Sequence, residues 1–309
     1  MMPIGNVQIF LLDFICNIFR FLMHASSTLP LLALCALLVC RRNLKRSWFA
    51  WGAFLVFIAS LFSFLSVFGA FADPLLLYAK FYVQGLTPRI PDFCENGILP
   101  YTLCALFRCL GMILLLVTWV WLKMARSVHG EKNFLFSCLC LTLASFLFFI
   151  SYIVQQMPFG SYPEGLNFYQ TLAILSQQAL HQYIGAFAPA GICSLVVITG
   201  FKLMRHAGVD EDYAKDETFF VRWSSIWSVV GLIPSCLVIL GRAFASLLQK
   251  NIFQDIPYLY WQTGIAWLSL ACAILLLFPM FSRLQWLRTI SILIYFLHFN
   301  LPLTKDVFL

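Results

Sequence analysis

Eight apolar stretches of membrane-spanning length constrain this chain more than any other feature of its sequence. They lie at about 17–40, 48–71, 98–122, 133–154, 176–201, 223–241, 257–281 and 286–302. A helix that crosses the hydrocarbon needs about 20 apolar residues, each rising about 1.5 Å. The ten-residue alternation of membrane strands is absent, and backbone in hydrocarbon must hydrogen-bond to itself. The sequence therefore predicts an all-α integral membrane protein, a bundle of about eight transmembrane helices.

The composition leaves no room for a soluble domain. Of the 309 residues, 61% are hydrophobic and 11% are charged, and the mean hydropathy is +0.87. The connections between the apolar stretches are short, so we expect one transmembrane domain over residues 1–309. The net charge of +7 comes from the connections and gives no reason to expect nucleic-acid binding.

The basic residues alternate from one connection to the next, which predicts the orientation. Connections at 41–46, 123–132, 202–222 and 283–288 hold 4, 3, 4 and 2 Lys and Arg residues. Those at 73–96, 155–175 and 242–256 hold 2, 0 and 2. By the positive-inside rule the first set faces the cytoplasm, with 202–222 as a cytoplasmic polar loop. Eight spans then place both termini on the outer side of a bacterial inner membrane.

The first apolar stretch is longer than one span requires. Apolar character runs back from Arg41 to Val7, and a helix of that length would measure about 50 Å. Asp13, Asn17 and Arg20 interrupt its early part, and a bend is expected at Ser26, Ser27 and Thr28 with Pro30. Two arrangements remain open: a helix that protrudes from the bilayer, or a segment over 7–22 lying at its surface.

Ionisable side chains inside the apolar stretches are the candidate functional residues. Helical rise from the nearest cytoplasmic basic residue places Arg108, His24 and His181 at about 22, 25 and 31 Å, and His298 at about 15 Å. An ionisable group at membrane depth costs several kcal/mol, so each is a functional-site hypothesis. Neutral imidazole is also a common metal and haem ligand.

Each of these residues also has a purely structural interpretation. A histidine within a span often hydrogen-bonds a neighbouring helix. Arg108 has no acidic residue on its own span. Three interpretations stay open: its side chain snorkels, it bridges carbonyls, or it neutralises an anion such as a haem propionate or lipid phosphate. Arg242, at the outer end of the sixth span, is a similar and shallower candidate.

Three segments resemble a known family. His24 is followed by LPLLALCALLVC and WGAFLVFIASLFSFLSVFGAF, and the fourth span ends in ASFLFFISYIVQQMPFGSYPEG. The fifth span, NFYQTLAILSQQALHQYIGAF, carries His181 and leads to FFVRWSSIWSVVG. Together, over residues 10–245, they resemble the large subunit of cytochrome bd quinol oxidases.

The resemblance implies haem ligands at two positions. His24 matches the first-helix histidine that ligates the haem on the oxygen-reactive side, and His181 matches the fifth-helix ligand of the low-potential haem b. The third span departs from the family, because it carries Arg108 in place of glutamates. Only 242–256 stands where the family has a long quinol loop, and the seventh span, YWQTGIAWLSLACA, lacks the expected methionine.

Three hypotheses follow. The favoured one is a haem b-binding, cytochrome bd-like subunit of a respiratory complex, a possible oxidoreductase component that moves electrons between quinol or cytochrome c and a partner subunit. His181 would be an axial ligand, His24 a second ligand or the ligand of a second haem, and His298 a sixth ligand. Arg108 and Arg242 would hold propionates. The alternatives are a haem-free scaffold subunit and a membrane transporter or lipid-handling enzyme.

Overall fold

The described part of the chain is helical. The computed structural model describes residues 4–43, 46–69, 99–125, 131–155, 168–204, 217, 219–234, 237, 268, 271, 274–275 and 285–300. Within these residues a turn at Ala186 is the single departure from helix, and no strand occurs. The prediction of an all-α chain is confirmed over this part.

Five helices are long and apolar enough to cross a membrane. They are Phe14–Arg41, Phe49–Phe68, Pro100–Met124, Asn133–Gln155 and Tyr169–Ile198. Each overlaps one of the first five stretches predicted from the sequence. The chain is therefore a multi-pass membrane protein, as predicted at this coarser level.

The later stretches are described less completely. A shorter apolar helix, α7 (Phe219–Pro234), overlaps the predicted sixth span. The helix α8 (Gln285–Asn300) overlaps the predicted eighth. The predicted seventh span, 257–281, lies mostly outside the described residues, as does most of the predicted loop 202–222.

The N-terminal stretch is one continuous helix. Helix α1 (Ile4–Asn43) has 40 residues, which corresponds to about 60 Å, and Pro30 lies inside it. Of the two open arrangements, the structure therefore has the long continuous helix. Its early apolar side chains, such as Phe14 and Ile15, are exposed, whereas every side chain from 25 to 30 is buried.

Four helices form a closed ring, which we call the four-helix bundle. Helix α1 packs on α2 (Arg46–Gly69) and α4 (Glu131–Gln155), and α3 (Leu99–Ala125) packs on α2 and α4. Residues 44–45 alone join α1 to α2, and 126–130 alone join α3 to α4. Such short connections make sequential helices antiparallel neighbours. The bundle belongs to a compact unit of Met1–Tyr183.

The fifth predicted span is divided into two helices. Helix α5 (Phe168–Gly185) ends before the turn at Ala186, and α6 (Phe187–Met204) follows it. Pro189 has no N–H to donate to the carbonyl of Gly185, four residues earlier, which explains why the helix is interrupted there. The second compact unit, Ile184–Leu309, begins at this point.

Within the second unit, α6 and α7 approach closely through small residues. A Cβ added at Gly191 would lie 2.6 Å from the carbonyl oxygen of Ser224, and one added at Gly231 would collide with the backbone nitrogen of Ala188. The hydroxyl of Ser224 donates to that of Ser194 at 2.7 Å. Such contacts let helices associate where the hydrophobic effect between them is weak.

Candidate functional site

Arg108 lies at the centre of the four-helix bundle and contacts all three other helices. Its side chain, on α3, is fully buried. One terminal nitrogen, Nη1, donates to the carbonyl oxygen of Met23 at 3.2 Å and to the hydroxyl of Ser66 at 3.3 Å. Nη2 donates to the hydroxyl of Ser27 at 3.2 Å. The guanidinium carbon lies 5.4 Å from the ring centroid of Tyr152, on α4.

The acceptors around this guanidinium are neutral. Within the described residues, none of its hydrogen-bond acceptors is a carboxylate, and its Nε is buried without a partner. On α2, one turn from Ser66, the hydroxyl of Ser63 is also buried and has no hydrogen-bond partner in the part of the chain that the structure describes. An Arg at the centre of a membrane helix costs at least about 2.5–3.5 kcal/mol. Among the described residues, the charge is therefore surrounded by neutral hydrogen-bond acceptors and by the faces of the Tyr152 and Phe148 rings.

His24 is joined to Arg108 through Tyr152. The Nδ1 of His24 lies 2.7 Å from the Tyr152 hydroxyl, and the two rings are nearly parallel, 5.6 Å apart at 11°. The ring of the same tyrosine faces the Arg108 guanidinium. We refer to His24, Tyr152, Ser27, Ser66 and Arg108 as the bundle network. It draws side chains from all four helices.

Helical spacing brings these groups to one side of α1. Met23 and Ser27 are four residues apart and therefore lie on the same face of the helix. The hydroxyls of Ser26 and Ser27 both donate to the Met23 carbonyl, at 3.0 and 2.7 Å. With the Arg108 bond, this carbonyl receives three side-chain donors. The serines that interrupt the apolar run thus form part of the polar centre.

Helix α5 packs beside the bundle network. Met23, Tyr152 and Ala179 form a buried cluster, with Phe149, Ile153 and Tyr183 packed against it. The Tyr183 hydroxyl also donates to the carbonyl of Ser145 at 3.3 Å. The face of α5 that meets the bundle therefore carries Ala179 and Tyr183.

His181 lies on the opposite face of α5. It is two residues from both Ala179 and Tyr183, and two residues turn an α-helix by about 200°. Its side chain is half-buried, and its neighbours Leu180 and Gln182 are exposed. The structure consequently joins His24 to Arg108 but points His181 away from them.

The side chains of the other two predicted residues, His298 and Arg242, are outside the described part of the structure. The backbone of His298 lies in α8, whereas all of Arg242 lies outside the described residues. Among the described residues there is no group of three or more His, Cys, Asp or Glu that could hold a metal ion. Haem iron takes only one or two axial ligands from a protein, so single histidines are the relevant sites for haem.

Three residues of the network, Tyr152, Ser66 and Ser27, were not predicted as site residues, although the polar run that contains Ser27 was noted in the sequence. The signal for Ser66 was the three-residue spacing of Ser60, Ser63 and Ser66, which places them near one face of α2 in an apolar run. Tyr152 had no comparable signal, because a tyrosine near the end of a span is typical of the membrane interface.

No family model, curated protein or solved structure matches this chain. Its function is therefore inferred from the bundle network and from the residues themselves.

Proposed function

We propose that this chain is a haem b-binding subunit of a respiratory electron-transfer complex in a bacterial inner membrane. Eight spans would place both termini on the outer side. The single observation that carries the proposal is the hydrogen bond between His24 and Tyr152 inside the bundle, 2.7 Å long. Bundle cores are common positions for cofactor ligands on facing helices.

The geometry of His24 suits an iron ligand. When Nδ1 carries the proton, it donates to the Tyr152 hydroxyl, and Nε2 keeps the lone pair that iron needs. Histidines that bind metals generally donate their other ring N–H to a second group, which fixes the ring orientation. Tyr152 supplies that group, and its ring contacts the Arg108 guanidinium.

Arg108 suits the acidic edge of a haem. Its Nε is buried and has no hydrogen-bond partner among the described residues. A carboxylate at this nitrogen would satisfy the donor and compensate the charge. We assign Arg108 to a propionate, and Arg242 to the same role at the outer end of the sixth span.

His181 would serve a separate haem, since it lies on the face of α5 opposite the bundle network. His298 is the proposed sixth ligand. Haem supplies the one-electron chemistry, and the chain sets its ligands, burial and nearby charge. Quinol or cytochrome c would donate electrons, and other membrane subunits of the complex would exchange them with this chain.

A pyridine-haemochrome assay on the purified chain or its native complex tests the proposal. We expect haem b in the parent, and less haem per chain in His24→Ala and in His181→Ala. His129→Ala and His206→Ala are matched controls, because both residues lie in connections predicted to be cytoplasmic, outside the described residues. A colourless parent that is folded and stable refutes the proposal.

A haem-free scaffold subunit is the second candidate, and one specific observation favours it. Both terminal nitrogens of Arg108 already donate to α1 and α2, so the network joins helices without any added group. Under this alternative the complex assembles normally without haem, and Arg108→Met lowers the yield of complex while leaving the visible spectrum unchanged.

A further inference from the structure

A groove opens between α2 and α3 at the end of the bundle away from the network. It has a volume of about 720 Å³. Its lining residues are Phe49, Ala50, Ala53, Phe54, Phe57, Trp119, Leu122 and Lys123. All of them belong to the first compact unit. We call this the α2–α3 groove.

The lining is apolar with one cation at the end. Ala50 and Ala53, three residues apart, leave room on α2 where larger side chains would close the gap. Phe57 packs against Trp119 with ring centroids 5.2 Å apart, and Leu122 beside them is fully buried. The Lys123 ammonium lies 5.2 Å from the centroid of Trp119, and its side chain is exposed. The groove is therefore amphipathic along its length.

The end of the bundle that carries Lys123 is the one rich in basic residues. The C-termini of α1 and α3 and the N-terminus of α2 meet there, because these neighbours are antiparallel. Residues 41–46 hold 4 Lys and Arg, and Arg41 is exposed, with its guanidinium 4.3 Å from the Phe134 ring centroid. By the charge-derived orientation this end faces the cytoplasm.

We propose that the α2–α3 groove binds an anionic phospholipid. The acyl chain lies along Ala53 and Phe57, and the phosphate of the headgroup lies at Lys123. Basic pockets between transmembrane helices on the cytoplasmic side recognise anionic headgroups in this way. A neutral amphiphile such as a quinol would fill the apolar part but gain nothing from the ammonium group. The site lies away from His24 and His181, so it does not depend on haem.

Native mass spectrometry of the detergent-purified chain measures the binding. Phosphatidylglycerol and phosphatidylcholine with the same acyl chains are added in parallel. We expect the parent to retain phosphatidylglycerol preferentially, and Lys123→Gln to reduce that preference about fivefold, the effect of one basic residue near a membrane surface. Ala53→Leu fills the groove and should reduce the binding of both lipids.

Two matched variants control for general effects. Arg41→Gln removes a cation stacked on an aromatic ring at the same end of the bundle but outside the groove. Ala173→Leu adds the same bulk at an exposed position of α5. Both should bind lipid as the parent does. Equal retention of the two lipids by the parent, or an equal loss in Arg41→Gln and Lys123→Gln, overturns the proposal. Melting temperatures of all variants identify any loss that comes from unfolding.

Discussion

At the scale of single residues, two opposing energies of similar size act on Arg108: the cost of placing its charge in the membrane and the gain from its hydrogen bonds. Insertion scales give a cost of about 2.5–3.5 kcal/mol for an Arg at the centre of a membrane helix, and Arg108 lies nearer the predicted outer end of its span. Interhelical hydrogen bonds in membranes average about 0.6 kcal/mol, so its three bonds return about 2 kcal/mol. The planar fork of Arg makes these bonds to two helices together, which a Lys ammonium does not reproduce.

This balance predicts an order of stability. Arg108→Lys keeps the charge but loses some of the hydrogen bonds that the two terminal nitrogens of Arg make. We therefore expect a free energy of unfolding about 1–2 kcal/mol below that of the parent. Arg108→Met removes both the charge and the bonds, and should lie within about 1 kcal/mol of the parent. Thermal unfolding of the detergent-solubilised variants measures the order. If the Met variant is less stable than the Lys variant, the bonds outweigh the charge and the estimate is wrong.

The contact between His24 and Tyr152 can be measured by a double-mutant cycle. We expect His24→Ala and Tyr152→Phe to couple by about 0.6 kcal/mol, because the Tyr152 hydroxyl bonds directly to the imidazole. Tyr183→Phe is the control, since its hydroxyl donates to Ser145 and should couple to His24 by much less. Equal coupling in the two cycles would show that packing, not the hydrogen bond, links the rings.

The sequence predicted part of this site. Counting helical rise placed His24 and Arg108 at similar depths, and the structure joins them through Tyr152. The depth of a residue in the membrane does not determine the direction in which its side chain points. His181 was grouped with them by depth, but its position on α5 depends on which face of that helix packs on the bundle. That information lies in tertiary contacts, which a single sequence does not show.

At the scale of helices, apolar length predicted the spans well because the bilayer imposes the same length on each. The first five predicted spans all correspond to described helices. The division of the fifth span at Ala186 was not predicted, although Pro189 supplied the physical reason for it. A proline inside an apolar run is often tolerated in membrane helices, so the residue alone did not determine where the helix would be interrupted.

The crossing of α6 and α7 allows a prediction about glycine. Gly231→Ala places a Cβ against the backbone of Ala188. Backbone atoms move less easily than the end of a side chain, so we expect the free energy of unfolding to fall by about 1–3 kcal/mol. Gly52→Ala is the matched control. Its Cβ meets the flexible end of Leu37 at 2.8 Å, and we expect a change of less than about 1 kcal/mol. Melting temperatures compare the two, and similar losses would contradict the close crossing.

At the scale of the whole molecule, the alternation of basic connections and the closed ring of α1 to α4 support each other. Antiparallel neighbours bring the basic connections 41–46 and 123–132 to one end of the bundle, as the positive-inside rule requires. Charge bias could therefore be used to predict the direction of each helix. It could not predict which helices are adjacent, since adjacency depends on packing of their faces.

Reporter fusions test the predicted orientation of the complete chain. Alkaline phosphatase is active only outside the cytoplasm, and green fluorescent protein fluoresces only inside it. We expect phosphatase activity for fusions at the C-terminus and within 155–175, and fluorescence for fusions within 123–132. The 155–175 connection contains no Lys or Arg, whereas 123–132 contains 3, so the two internal fusions form a matched pair. Fluorescence at the C-terminus, with the internal pair as expected, would mean that the number of spans after 155–175 is odd, and the prediction of eight spans would be wrong.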